Sequence, residues 1–131
     1  MSSVAADKRP IQLVQLVTRL DTGGVPEQVL TLLEGLAQPE YAITVICREV
    51  SDRYRQRLEA IGARVILLKM HRLLHPSDVL AALHLYRLLR QLKCDILHTH
   101  TSKAALLGGI IGMAARVPVR VNTAHNLGCL A

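Results

Sequence analysis

The chain has 131 residues, half of them apolar, with no Phe or Trp and three Tyr, and it carries a net charge of +6 at neutral pH. That length suffices for one domain with a real core, which must be built from Leu, Ile, Val and Ala. Tyr41, Tyr54 and Tyr86 are too few to stack nucleobases, so no nucleic acid is expected as partner.

The basic excess suits phosphorylated small molecules or an anionic membrane surface. Arg53, Arg55, Arg57, Arg64, Lys69, Arg72, Arg87, Arg90 and Lys93 are scattered through the middle, as on solvated helix faces. Three widely spaced cysteines, Cys47, Cys94 and Cys129, form neither a disulfide framework nor a zinc pattern. A reducing, cytoplasmic setting follows as the expectation. Residues 1–10 are charged and lack an apolar core, so they read as a flexible N-terminus and not as a signal peptide. The longest apolar run, Ala104–Ala115, has 12 residues, against the roughly 20 of a membrane span.

Strand and helix signals then alternate. Ile11–Val17 is a predominantly apolar run and reads as a strand buried on both faces. Thr18–Gly24 follows as a turn with paired glycines. A helix starts at Gly24 with Pro26 in its first turn, and Val25, Val29, Leu32, Leu33 and Leu36 define its inner face. Ala42–Cys47 is the second strand. Ser51 caps a helix carrying Tyr54, Leu58 and Ile61, and Gly62 closes it.

Val65–Leu68 is the third strand, and Met70–Pro76 is a basic loop with His71, Arg72 and His75. The next helix places Ala81, Ala82, Leu85, Leu88, Leu89 and Leu92 on one stripe. Leu80, Leu83 and Tyr86 lie off it, which predicts a wide, partly buried helix. Asp95–His98 is the fourth strand, Ser102–Ala115 the fourth helix, and Val119–Thr123 the fifth strand. Gly108, Gly109 and Gly112 are expected to bring that last helix close to the sheet.

Such short connections imply right-handed crossovers and an α/β, three-layer Rossmann-like domain over residues 11–131, with a parallel sheet in the order 3-2-1-4-5. Ligands of such sheets bind at the strands' carboxyl ends beside the switch point between strands 1 and 4. Thr18–Gly24, His98–Lys103 and His125–Gly128 all reach that rim.

Gly23-Gly24 before a helix lets backbone N–H groups approach an anionic ligand, although a glycine pair also serves as a plain turn. No G-x-G-x-x-G and no G-x-x-x-x-G-K-[ST] occurs, which counts against a dinucleotide fold and a P-loop. Lys69-Met70-His71 stands where a receiver domain would need its acceptor aspartate. His98-Thr99-His100 with His125 and Cys129 could ligate a metal, but no carboxylate accompanies them, and buried or capping histidines are the plainer reading. Ser102-Lys103 at a helix start suits phosphate or sugar hydroxyls.

Val17-Thr18-Arg19-Leu20-Asp21-Thr22-Gly23-Gly24, Leu58-x3-Gly62-x2-Val65, Asp95–Ala104, Val117-Pro118-Val119 and Asn122-Thr123-Ala124-His125 together resemble the N-terminal domain of glycosyltransferase family 4-like enzymes. The resemblance runs from Ile11 to Leu127. It implies a GT-B fold and retaining transfer of a sugar from a nucleotide-sugar donor to a hydroxyl of a lipid-linked, polysaccharide or small-molecule acceptor, without a metal or other cofactor. By the same resemblance Gly23 and Gly24 lie by the donor diphosphate, His125 by the donor sugar as the catalytic candidate, and His100, Ser102 and Lys103 on the acceptor side.

Val25-Pro26-Glu27 departs from the Ala-Glu of many relatives. The family's second Rossmann-like domain, with its E-x7-E motif, is not in the sequence. The expectation is therefore an acceptor-side domain incomplete at its C-terminus, inactive alone, cytoplasmic, and peripheral at an anionic membrane face. A non-catalytic module binding an anionic partner is the alternative.

Overall fold

Alternate residues of the first strand feed opposite faces of the sheet, and both faces are covered. The computed structural model describes residues 9–21, 24–69, 76, 78–100 and 102–123, with backbone alone for 102 and 103. In chain order the elements are β1 (Ile11–Leu16), β2 (Arg19–Leu20), α1 (Gly24–Gly35), β3 (Tyr41–Cys47), β4 (Glu49–Val50) and α2 (Asp52–Ala60). They continue with β5 (Arg64–Leu67), α3 (Asp78–Gln91), β6 (Ile96–His100), α4 (Ser102–Ala114) and β7 (Val119–Thr123).

Five strands form one sheet in the order β5-β3-β1-β6-β7, all parallel. This is the order expected from the alternation of elements. Leu13 and Val17 join Ile43, Val45 and Cys47 under α1 and α2, against Val29, Leu30, Leu33, Tyr54 and Leu58. Val14 and Leu16 face the other way, with Ile46 and Leu97, under Ala81, Leu85 and Leu89 of α3 and Ala104 of α4. The chain thus winds left from β1 with helices on one face and returns to β6 with helices on the other, as right-handed crossovers require.

The helix boundaries follow local chemistry. Ser51 caps α2, its hydroxyl accepting from the Tyr54 N–H at 3.4 Å. Gly62 follows with φ +78°, and the Ala63 N–H reaches back to Leu58 O, a Schellman closure. The same closure ends α3 at Lys93 (φ 53°) and α4 at Arg116 (φ 58°), where no glycine is present.

α4 lies so close to the sheet that a Cβ at Gly108 would run into Thr99 Cγ2 and stand 3.1 Å from Leu16 Cδ2. One at Gly112 would stand 2.9 Å from Leu97 Cδ2, while Gly109 faces open space. Two of the three glycines therefore allow the close approach and the third does not serve it.

Four expectations are corrected. Leu32 of α1 is exposed, and Pro26 and Leu30 are buried instead, because the inward face is centred on Val29 and Leu33 and extends to their side of the helix. The third strand starts at Arg64 and ends at Leu67, and α4 ends at Ala114, with Ala115 in the closing turn. The turn after the first strand is partly ordered as a ladder: Arg19–Leu20 pairs in parallel with Glu49–Val50, and Leu20 is fully buried. The basic loop over Met70–His75 lies outside the described residues.

Candidate functional site

The carboxyl rim of the sheet brings together the ends of β1, β6 and β7. α1 begins at Gly24, and no atom of the described residues lies within 4 Å of where a Cβ would stand there. That leaves its first turn of N–H groups approachable by an anion. Arg19 and Asp21 form an ion pair beside this turn, and Arg19 also reaches Glu49 at 3.4 Å. Gly23, the other half of the glycine pair, lies outside the described residues.

β6 ends in the histidine pair. Residues two apart on a strand share a face, and the His98 and His100 rings stack with centroids 4.1 Å apart. His100 is buried, and its Nε2 is hydrogen-bonded to Gln15 Oε1 of β1 at 2.6 Å. As oriented, the ring N–H donates to the amide oxygen. Gln15 is fully buried too, and its Nε2 has no partner among the described residues. His98 Nε2 meets Thr123 Oγ1 of β7 at 2.6 Å. On the opposite face Thr99 Oγ1 donates to Asn122 Oδ1 at 2.9 Å.

A continuous polar string, Gln15–His100–His98–Thr123, thus runs across the ends of three strands. It ties the end of β7 at Thr123 to β6 and β1. Most buried polar groups are hydrogen-bonded, and His100 provides that partner for Gln15 Oε1. Sequence reasoning missed Gln15; the signal was a second glutamine, after Gln12, in a strand that reads as buried on both faces.

His125 lies outside the described residues. Ser102 and Lys103 open α4, so their backbone is at the rim, while their side chains are not described. Of the expected site residues, Gly24, His100 and the start of α4 therefore share one rim. Among the described residues no group of three His, Cys, Asp or Glu gathers as metal ligands.

Burial raises the Cys47 thiol to about 11 and the Cys94 thiol to about 12, so both are protonated at neutral pH and unsuited to nucleophilic or ligand roles. A cleft of about 540 Å³ lies at the opposite, amino ends of the strands, lined by Arg9, Ile11, Asp95, Ile96, Pro118 and Val119. It is remote from the rim. No helix among the described residues is long and apolar enough to cross a membrane.

The chain is 32% identical over 118 residues to UDP-Gal:alpha-D-GlcNAc-diphosphoundecaprenol alpha-1,3-galactosyltransferase of Escherichia coli, which covers 90% of the chain and 30% of that relative. Its fold is similar to that of MurG of Acinetobacter baumannii, with TM-score 0.64 and 20% identity over 86% of the chain and 34% of MurG. It is equally similar to that of Anabaena Alr3699/HepE, solved with UDP and glucose, with TM-score 0.64 and 16% identity over 86% of the chain and 29% of HepE. The chain thus spans about a third of the length of these proteins. The match to the family description itself covers residues 22–129. On that match, carried on a doubly wound half with its glycine turn and histidine pair at one rim, the chain belongs to glycosyltransferase family 4.

Proposed function

We propose that this chain is the acceptor-side half of a retaining, GT-B-type hexosyltransferase that takes a nucleotide sugar, a UDP-hexose first of all, as donor. Its acceptor is a hydroxyl on a sugar carried by a polyprenyl diphosphate. The relative's name motivates both substrates. The observation that carries the reading is the start of α1 at Gly24, clear of the other described residues and beside the β1–β6 switch point.

The diphosphate lies against the N–H groups of α1, where partial positive charge favours it. His125, two residues past Thr123 in the sequence, donates a hydrogen bond to the donor sugar. The Gln15–His100–His98–Thr123 string positions the end of β7, so His100 acts through packing while Ser102 and Lys103 meet the acceptor. A second Rossmann-like domain closes over the donor and supplies the remaining contacts, because catalysis needs groups pre-organised on both sides of the reacting centre. No metal takes part. The acceptor's lipid brings the domain to the cytoplasmic face of a membrane.

The test is reconstitution. Joined to a family 4 C-terminal domain, the chain transfers sugar from a UDP-hexose, and the 131-residue chain alone does not. Gly24→Val, whose branched side chain fills the approach to α1, raises the KM for donor first. His125→Ala lowers kcat and leaves the melting temperature in place. Transfer by the isolated chain, or a His125→Ala protein that melts early yet turns over normally, overturns the assignment.

A further inference from the structure

The two edges of the sheet differ. β5 forms one of them, and its central residues Val65 and Ile66 are half-buried, each packed into one of the two cores. β7 forms the other. Among the described residues it pairs only with β6, and Val119, Arg120, Val121 and Asn122 are all exposed, the two valines at 46 and 45%. An open strand edge invites another chain unless a proline, a bulge or a charge blunts it. Val119–Thr123 contains no proline and no glycine. Its one charge, Arg120, is turned aside along α4, with Cδ and Cγ 3.2 and 3.6 Å from where a Cβ of Gly112 would stand.

The backbone shows which groups this edge offers. On a strand the N–H and C=O of one residue point to the same side, and the side alternates along the chain. Val119 N–H donates to Asp95 O at 3.1 Å, toward β6. Val119, Val121 and Thr123 therefore bond inward, and the N–H and C=O groups of Arg120 and Asn122 face outward. The side chains alternate as well. Asn122 meets Thr99 on the α4 face, while Val119, Val121 and Thr123 share the other face, where Thr123 holds His98 and the two valines stay exposed.

This pattern is complementary to itself. In an antiparallel pair with a two-fold axis at Val121, Arg120 lies opposite Asn122 of a second copy and exchanges both backbone bonds with it. Symmetry repeats the exchange, so all four outward groups of each strand are used. Val121 then meets Val121, and Val119 meets Thr123, at the closer, non-hydrogen-bonded positions. Such β-branched cross-strand pairs stabilise a sheet. A pair centred on Arg120 would set two guanidinium groups opposite each other and leave Asn122 facing Pro118, which has no N–H. A pair centred on Asn122 would push Arg120 past the end of the facing strand at Thr123. Charge and the position of Pro118 thus select one register.

We propose that β7 is a self-pairing edge: two copies of this chain join antiparallel about Val121 and carry one sheet across both. The contact is isologous, the commonest way in which identical chains associate. A five-residue edge is small beside the roughly 800 Å² per partner of a stable dimer, so the pair forms at high protein concentration and separates on dilution. Each copy carries +6, so added salt screens their repulsion and strengthens the pairing. The inference goes beyond the transferase reading and does not depend on it.

Light scattering and disulfide trapping of the 131-residue chain test it. The scattering mass doubles with rising concentration and falls back on dilution. Val121→Lys sets like charges directly opposite and raises the dissociation constant about tenfold or more, while circular dichroism melts follow the parent because the side chain is exposed. Trapping uses a Cys129→Ser background, since Cys47 and Cys94 are buried. Val121→Cys then forms a disulfide-linked dimer under mild oxidation, its two Cα atoms being about 4.5 Å apart across the axis. Val119→Cys does not, because its own copy stands roughly 13 Å away along the strand. A chain monomeric at every concentration, equal trapping at both positions, or a dimer indifferent to Val121→Lys overturns the proposal; the last would place the contact on another surface. A reconstituted transferase without sugar transfer would sink the functional reading and leave these results intact.

Discussion

The two helical layers of this domain are built on one plan and finished differently. On the α1–α2 side the outward surface is polar and cross-linked. Arg57 of α2 bonds Glu27 at 2.7 Å and Glu34 at 2.8 Å, both on α1, and Gly62 provides a strain-free helix end. On the α3–α4 side the outward surface is aliphatic, and the helix ends carry Lys93 and Arg116 in the left-handed region. Equal inner packing with unequal outer faces teaches that folding alone did not shape the second layer.

The sharpest way to break this comparison is to test inner and outer positions of α3 with the same kind of change. Leu85 is fully buried and Leu83 is not. Leu85→Ala should cost about 2–5 kcal/mol in urea denaturation, and Leu83→Gln should change stability by less than about 0.5 kcal/mol. A large loss at Leu83 would mean that the outer face is already covered by protein.

α4 offers a second contrast, between glycines one residue apart. Gly108→Ala forces Thr99 and Leu16 to shift and should cost about 1–3 kcal/mol. Gly109→Ala meets nothing and should gain up to about 1 kcal/mol from helix propensity. Equal effects in thermal melts would show that α4 does not lie against β6 as described.

Much of this was legible in the sequence. Continuous apolar strands and short connections fixed the strand order, and Ser51 and Gly62 fixed the ends of α2. What stayed hidden depends on non-local pairing. Arg19–Leu20 becomes a strand only because Glu49–Val50 runs beside it. Leu32 flanks Val29 and Leu33 on α1 as closely as Leu30 does, and only the packing of the helix in the fold decides between them. At the site, the position of Gly24 followed from the strand-turn-helix pattern, but the bond between Gln15 and His100 links residues 85 apart in sequence.

A smaller effect separates the helix ends. A non-glycine residue at positive φ carries a cost on the order of 1 kcal/mol, partly offset by a cation's attraction to the helix C-terminus. Arg116→Gly should therefore stabilise the chain by up to about 1 kcal/mol in urea denaturation. A loss of stability instead would mean that the cation's attraction to the helix end outweighs the backbone cost.

The smallest effect concerns the polar side and is read through pH. Hydrogen bonds hold Glu27 and Glu34 below the usual 4.5 for a glutamate: Glu27 bonds Tyr54 and then Arg57, and Glu34 bonds Arg57. The folded chain therefore binds these protons less readily than the unfolded chain. Their stabilising contribution is complete above pH 4.5, the unfolded value, and is lost as pH falls through the lower folded values. All three side chains remain partly solvated, so the loss is modest. Arg57→Met removes the partner of both carboxylates. It should lower the urea midpoint slightly at pH 7 and flatten the decline between pH 5 and pH 3 relative to the parent. Asp95, whose burial is outweighed by the Gln12 N–H and Arg9, also lies below its usual value and contributes an acid-sensitive term in both proteins. The difference between the two curves therefore isolates the α1–α2 link. Parallel curves would mean that the Arg57 pairs contribute nothing, and that the polar layer differs from the aliphatic one only in what solvent it tolerates.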